Sequence, residues 1–346
     1  MKIGIIILFL LIASVSVIIN SCKKTDIHFF GKPHSLGLTN PEGFPQPIYN
    51  FEGNPLTEEG FALGKKLFHD HILSKNLDVT CSSCHQQHAA YTTFDHDLGH
   101  GTNHQHTSRN VPVIFNMIWQ SAFQWDGSVA RLIDQPLTCL TAPEKMGEQV
   151  TAVIQKLDTS ADYKRMFGAA FGDEGITGDR IAKALVQFVA SLVSADSKYD
   201  RVKKGQATFN ASEQSGYGLF QQKCASCHAE PLFTDLSYRN VGLALDPYHL
   251  DVGRMRVTGD HADSLKFKVP TLRNVALTAY YTHDGRFEAI SQMLDHYSGG
   301  VIEGPTTDPL VKNQILLTDL EKFYLQEFLF ALTDSVFVND PRFDAP

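Results

Sequence analysis

Basic charge is what this sequence most lacks. Its 346 residues carry 30 Lys and Arg against 38 Asp and Glu, a net charge of −8. That balance excludes a nucleic-acid binder working through a general basic field, so no nucleic-acid partner is expected. An acidic surface instead suits basic protein partners. Long apolar runs are equally scarce. There is one, at residues 3–19, which excludes a polytopic membrane protein. Strand-like alternation is rare, and helical periodicity dominates. At 43% hydrophobic and 20% charged, the chain can bury a sizeable core and is not disordered. Its length suggests two domains.

The apolar run follows Met1-Lys2 and suits the h-region of an export signal. Asn20-Ser21-Cys22 comes next, with a small residue directly before a cysteine. This resembles the bacterial lipoprotein signal, in which the cysteine is lipidated and begins the mature chain. The expectations are a signal peptide over 1–21, a lipidated Cys22 and a tether over 23–50. The protein would then face the periplasm, held to a membrane by its lipid anchor alone.

Cysteine spacing decides the class. Cys81-Ser82-Ser83-Cys84-His85 and Cys224-Ala225-Ser226-Cys227-His228 are two C-x-x-C-H strings, the attachment signature of c-type haem. The thiols add to the haem vinyl groups, and the adjacent histidine turns its imidazole onto the iron. A four-cysteine zinc site would not need a histidine after each pair. Cys139 is left over and reads as a buried or half-buried free thiol, not a site. Two covalently bound haem c groups are expected, one per domain.

The helical pattern organises the chain around these strings. Thr57 can cap a helix carrying Phe61, Leu63, Leu67 and Phe68, and residues 179–193 place Ile181, Leu185, Phe188, Val189 and Leu192 on one face. Residues 194–205 turn polar and read as the interdomain connection. Ser212 is expected to open a helix with Tyr217, Leu219 and Phe220 that leads into the second string. Thr318-x-x-Glu321 is a capping box starting a last helix. Long loops at 86–112 and 229–270 could wrap the haem edges. The fold class is all-α: two cytochrome c-like haem domains, 51–200 and 205–346, joined by a short linker.

With these strings stand LGKKLFHD (63–70), RNVPVIFN (109–116), FQWDG (123–127) and FKVPTLRNVALTAYYTHDGRF (267–287). Together, and in this order, they resemble the bacterial di-haem cytochrome c peroxidase family, which includes the MauG-type enzymes. The resemblance covers about residues 55–335. It implies a peroxidatic N-terminal haem and an electron-transferring C-terminal haem, with a calcium ion and a tryptophan between them. His85 and His228 match the proximal iron ligands. Trp125 is similar to the inter-haem tryptophan. Asn110 matches the calcium-binding side chain, and the carbonyls of Thr278 and Tyr280 match the backbone calcium ligands. Dimers are common in the family, so a homodimer is an open expectation.

Three distal positions depart from or complicate the pattern. His100 resembles the loop histidine that caps the N-terminal iron in peroxidases of this family, though His96, His104 and His106 lie nearby. The family's acid–base glutamate stands in a Glu-Met-Gly context. Here Pro143-Glu144-Lys145-Met146-Gly147 puts Lys145 at that place and Glu144 one residue early. Glu144 is the favoured acid–base group, and Lys145 the alternative. Where electron-donor-linked peroxidases place a methionine on the C-terminal iron, the match lands on Tyr297, as in the MauG-type branch; Met293 is its rival and Met255 a distant one. The implied function is reduction of hydrogen peroxide to water with electrons from a cytochrome c or similar small redox protein. The alternatives are a MauG-like oxidase of a protein or small-molecule substrate, and a di-haem electron carrier without turnover.

Overall fold

The computed structural model describes residues 30–346. The expected signal peptide, the lipid site at Cys22 and the start of the tether lie outside the described residues. Among the described residues no helix is long and apolar enough to cross a membrane.

The architecture is helical. In chain order the α-helices are α1 Glu58–His69, α2 Cys81–Cys84, α3 Gln135–Thr141, α4 Val150–Asp158, α5 Ala161–Phe171, α6 Gly178–Ala190 and α7 Lys198–Lys203. They continue as α8 Ala211–Lys223, α9 Met255–Thr258, α10 Ile290–Asp295, α11 Pro309–Lys312, α12 Asp319–Phe330 and α13 Ser335–Val338. Two-residue strands, β1 Tyr238–Arg239 and β2 Phe267–Lys268, pair antiparallel.

Helix starts follow the side-chain caps. Thr57 Oγ1 accepts from the Gly60 amide at 3.0 Å and opens α1. Thr318 and Glu321 form the expected box on α12. The helix before the second C-x-x-C-H string begins earlier than Ser212. Asn210 Oδ1 accepts from the Glu213 amide at 2.8 Å, and Glu213 Oε2 accepts from the Asn210 amide at 2.7 Å. This reciprocal pair satisfies two orphan amides at once and outcompetes a serine cap.

Two helix pairs are built alike. α1 crosses α6 at Gly64, where a Cβ would stand 2.0 Å from the Ala184 carbonyl oxygen. α8 crosses α12 at Gly216, where a Cβ would stand 1.9 Å from the Tyr324 carbonyl oxygen. Only glycine lets the backbones approach so closely. Each pair carries its own hydrophobic core. The first gathers Leu63, Leu67, Phe115, Trp119, Phe167 and Phe188. The second gathers Tyr199, Phe220, Phe233, Leu325, Phe328 and Leu332.

Residues 32–346 nevertheless cluster as one compact unit. Part of the reason is the C-terminal tail. Sequence assigned it to the second domain, but Phe337 and Phe343 are buried in the first core. Their rings meet that of Tyr91 at centroid distances of 5.5 and 6.4 Å. Aromatic burial outweighs chain proximity here, since each ring removes a large apolar surface from water.

Candidate functional site

Both C-x-x-C-H strings are held as tight turns. In the first, Thr80 caps α2, its Oγ1 accepting from the Ser83 amide at 3.0 Å. The His85 amide then donates to the Cys81 carbonyl at 2.9 Å. In the second, the His228 amide donates to the Cys224 carbonyl at 3.0 Å. One turn of helix thus presents two thiols and the following imidazole to the same space.

Each imidazole is oriented from behind. His85 Nδ1 lies 2.8 Å from the Tyr91 carbonyl, and His228 Nδ1 lies 3.1 Å from the Phe233 carbonyl. An Nδ1–H donated to a carbonyl leaves Nε2 as the unprotonated, ligating nitrogen. Tyr91 and Phe233 both have positive φ, at +63° and +55°, which turns these carbonyls back on the ring. Burial pushes the His85 imidazole down to about 4 and lowers that of His228 as well. Both stay neutral near pH 7, as an iron ligand must. Burial also pushes the Cys81 and Cys224 thiols up to about 12.

A cavity of about 730 Å³ lies at the second string, lined by Cys224, Cys227, His228, Met293, Tyr297 and Trp125. Cofactor sites span about 300–1,000 Å³, so the volume suits a porphyrin. The lining also holds donors without partners: Gln124 Nε2 and Arg239 Nε are buried and unbonded. Tyr297 stands on a π-helical turn, His296–Gly300, a distortion common at functional sites. Burial, and then the Cys224 and Cys227 thiols, push its phenol pKa up. Met293 shares the cavity, whereas Met255, on α9, is not part of its lining.

Trp125 joins the two halves. Its neighbours Phe123 and Val129 sit in the first core and pair as an isolated bridge. Trp125 itself lines the second cavity. Its indole Nε1 donates to the Asn110 carbonyl at 2.8 Å, and its carbonyl accepts from the Lys268 amide at 2.7 Å. The turn needs Gly127, at φ +73°, where a Cβ would fall 2.0 Å from the Tyr238 hydroxyl.

The Asn110 amide faces a cluster of carbonyls. Its Nδ2 donates to the Tyr280 carbonyl and, at 3.3 Å, to that of Thr282, while Oδ1 is buried without a partner. Tyr280 and Thr282 both have positive φ, so their carbonyls turn towards Asn110. Turning the amide over would gather three oxygens, the donor type calcium takes, so the residues fit that ion. The Thr282 carbonyl, which sequence reasoning missed, takes part in this arrangement at 3.3 Å from Asn110 Nδ2, whereas Asn110 makes no hydrogen bond to Thr278. Its signal was present: Thr282 lies one residue from the His-Asp-Gly match.

The first site differs from expectation in two respects. The ring of His100 is exposed, between His96 and His106 at centroid distances of 4.4 Å each. Its backbone carbonyl, not its imidazole, meets Cys84 Sγ at 3.5 Å. An antiparallel bridge between His100 and His106 holds the loop in this orientation. Cys139, set aside as a spare thiol, is also part of this site. It raises the pKa values of both Cys81 and Cys84, after their own burial. Gln135 Nε2 stands 3.5 Å from Cys139 Sγ, and Lys145 Nζ stands 3.9 Å from it. The Lys145 charge acts on His85 and Cys84 too. Glu144 makes no side-chain hydrogen bond or ion pair; its carbonyl packs on Gly101.

The profile of the di-haem cytochrome c peroxidase family matches residues 58–208. The chain is similar to the methylamine utilization protein MauG of Methylorubrum extorquens, 34% identical over 77% of this chain and 75% of that protein. It is similar to the cytochrome c551 peroxidase of Nitrosomonas europaea, 35% identical over 67% of this chain and 71% of that one. Among solved structures it resembles a MauG-like protein associated with microbial copper homeostasis. The TM-score is 0.80 at 32% identity, over 90% of this chain and 99% of that one.

Proposed function

The chain belongs to the di-haem cytochrome c peroxidase family, and from that premise we propose that it reduces hydrogen peroxide to water at one haem c with electrons received through another. The observation that carries this reading is the duplicated turn. Twice, a pair of cysteines precedes a half-buried histidine whose Nδ1 is tied to a carbonyl. Cys81, Cys84 and His85 would hold the peroxidatic haem. Cys224, Cys227 and His228 would hold the electron-transferring one, in two haem domains about residues 51–200 and 205–346. When bound, the haems supply the one-electron chemistry that amino acids lack.

The protein's own groups do the rest. His85 and His228 present neutral Nε2 atoms. Asn110 with nearby carbonyls would hold calcium, fixing the segment that receives the Trp125 indole. Trp125 offers a π-system between the first core and the second cavity, the place for electron passage. Lys145 would donate a proton to the peroxide oxygen that leaves as water, with Cys139 and Gln135 holding the pocket beside it. The donor would be a cytochrome c or similar small redox protein. The apolar run and Cys22 support a periplasm-facing lipoprotein.

Mixing the diferric and half-reduced protein with peroxide and reduced cytochrome c tests the reading. Peroxide consumption coupled to cytochrome c oxidation is expected, with Trp125→Phe uncoupling the two. An unchanged haem spectrum on adding peroxide would instead mark a plain electron carrier.

A second reading, a MauG-like oxidase acting on a protein or small-molecule substrate, is favoured by Tyr297. A phenolate on the C-terminal iron lowers its potential and so its use of a cytochrome donor. Tyr297→Phe is expected to change the absorption of the C-terminal haem alone; an unaltered spectrum hands that position to Met293.

A further inference from the structure

The second cavity contains a half-buried cation that no role above uses. Lys268 lines it together with Gln120, Gln124 and Trp125. Its Nζ donates to Gln120 Oε1 at 2.6 Å and to the Ala122 carbonyl at 3.0 Å. An ammonium has three N–H donors, so one is left over. Among the described residues no carboxylate pairs with it.

A partly buried ammonium without a counter-charge is costly, and desolvation pushes Lys268 down to about 8, with only Asp126 acting against it. Such a group is still mostly a cation at pH 7, and an anion completing the site would offset the cost of its burial. The neighbouring Gln124 Nε2 is a second buried donor without an acceptor. Lys268 and Gln124 both offer donors, which suits an acceptor-only, negatively charged ligand; the unpartnered acceptor of the lining, Asn110 Oδ1, belongs to the carbonyl cluster of Tyr280 and Thr282.

The other lysine and arginine on the cavity wall are already paired: Lys223 bonds the Leu316 carbonyl at 2.7 Å and Glu321 at 3.1 Å. Arg239 bonds Asp235 at 2.7 Å and Asp308 at 2.8 Å, and it acts on Cys227. It therefore stands at the thiol end. In the β1–β2 ladder Lys268 pairs with Tyr238 and Arg239 with Phe267, so the two cations leave opposite faces, and Lys268 is held by Gln120 and Ala122, away from the Cys224–Cys227 turn. The carboxylate edge of a porphyrin lies opposite its vinyl edge.

We infer that Lys268, assisted by Gln124, clamps a propionate carboxylate of the C-terminal haem and thereby holds that haem's reduction potential up. This rests on the reading that Cys224, Cys227 and His228 carry a haem. The Lys268 amide is bonded to the Trp125 carbonyl, so the clamp also ties the haem edge to the segment that carries the inter-haem tryptophan. Lys268 is a positioning residue: it sets the charge beside the cofactor and does not touch peroxide.

A redox titration of the full-length holoprotein, followed by absorbance and spin resonance, resolves the two midpoint potentials. Removing a cation near a haem disfavours the reduced state. Lys268→Met is therefore expected to lower the midpoint of the C-terminal haem and leave that of the N-terminal haem in place. Lys268→Arg is expected to keep the wild-type value. Coincident midpoints in wild type, Lys268→Met and Lys268→Arg would overturn the inference. If Lys268→Met does not accumulate, Lys268→Gln, which keeps a donor for the Ala122 carbonyl but no charge, is read against Lys268→Arg in the same titration. The ratio of covalently bound haem to protein separates the two levels. Fewer than two haems per chain defeats the haem reading itself, whereas two haems with unmoved potentials defeats only the clamp.

Discussion

Lys145→Met is expected to slow peroxide consumption by roughly 10²–10⁴-fold, the usual contribution of a positioned proton donor or acceptor, while both haems remain attached. The sequence alone favours Glu144, because a carboxylate is the family's group and an ammonium is a poor proton acceptor. The fold puts the two side chains in different surroundings. Lys145 reaches Cys139 and acts on His85 and Cys84. Glu144 bonds nothing, and its carbonyl is pinned against Gly101, where a Cβ would stand 2.1 Å away. The 143–147 turn is locked in that register by the Thr102 amide, which donates to the Lys145 carbonyl at 2.7 Å. A one-residue slip that would exchange the two side chains must break this contact. The measurement is single-turnover loss of peroxide by half-reduced protein, with haem content as control. Loss of rate in Glu144→Gln, with Lys145→Met unimpaired, would return the role to the carboxylate.

Arg273→Met is expected to cost about 3–5 kcal/mol of stability, because it strands a buried carboxylate. Arg273 donates to both oxygens of Asp200, at 2.8 and 2.7 Å, and to the Pro231 carbonyl at 2.8 Å. Both residues are buried. Burial works to raise the Asp200 carboxyl, but Arg273 and Ser197 hold it below the ordinary range. A carboxyl lowered in the folded state contributes stability that is present above its unfolded pKa and is lost as pH falls through the folded one. The pair ties α7, the connection between the halves, to the loop after the second C-x-x-C-H string. Thermal or denaturant unfolding of the holoprotein checks it, and a midpoint matching wild type would show that the pair is dispensable. Replacing both partners by apolar residues is expected to recover much of the loss, since no lone charge then remains buried.

The two C-x-x-C-H strings were legible because the proposed covalent attachment requires two thiols and a histidine within five consecutive residues. No tertiary information enters that requirement. Helix positions were legible for a similar reason: periodicity and caps act within one or two turns. The start of α8 was misplaced because Asn210 and Ser212 are both cap-type residues, and only Asn210 has a glutamate three residues on to complete a capping box. Cys139 was not legible. Its sulfur belongs to the first site through α3 and the 143–147 turn, which fold back on residues far away in sequence. Nor could sequence show that Phe337 and Phe343 return to the first core.

By itself, the sequence determined the family, the helical class and the two C-x-x-C-H turns, because each of these is written in contacts between near neighbours along the chain. Only the tertiary structure decided what faces each attachment site: an exposed His100, a Lys145 beside Cys139, a Tyr297 in the second cavity and an unpaired Lys268 on its wall. Those outcomes depend on long-range packing, where a change in which face of a loop is buried exchanges one side chain for its neighbour, and local pattern carries no record of that choice.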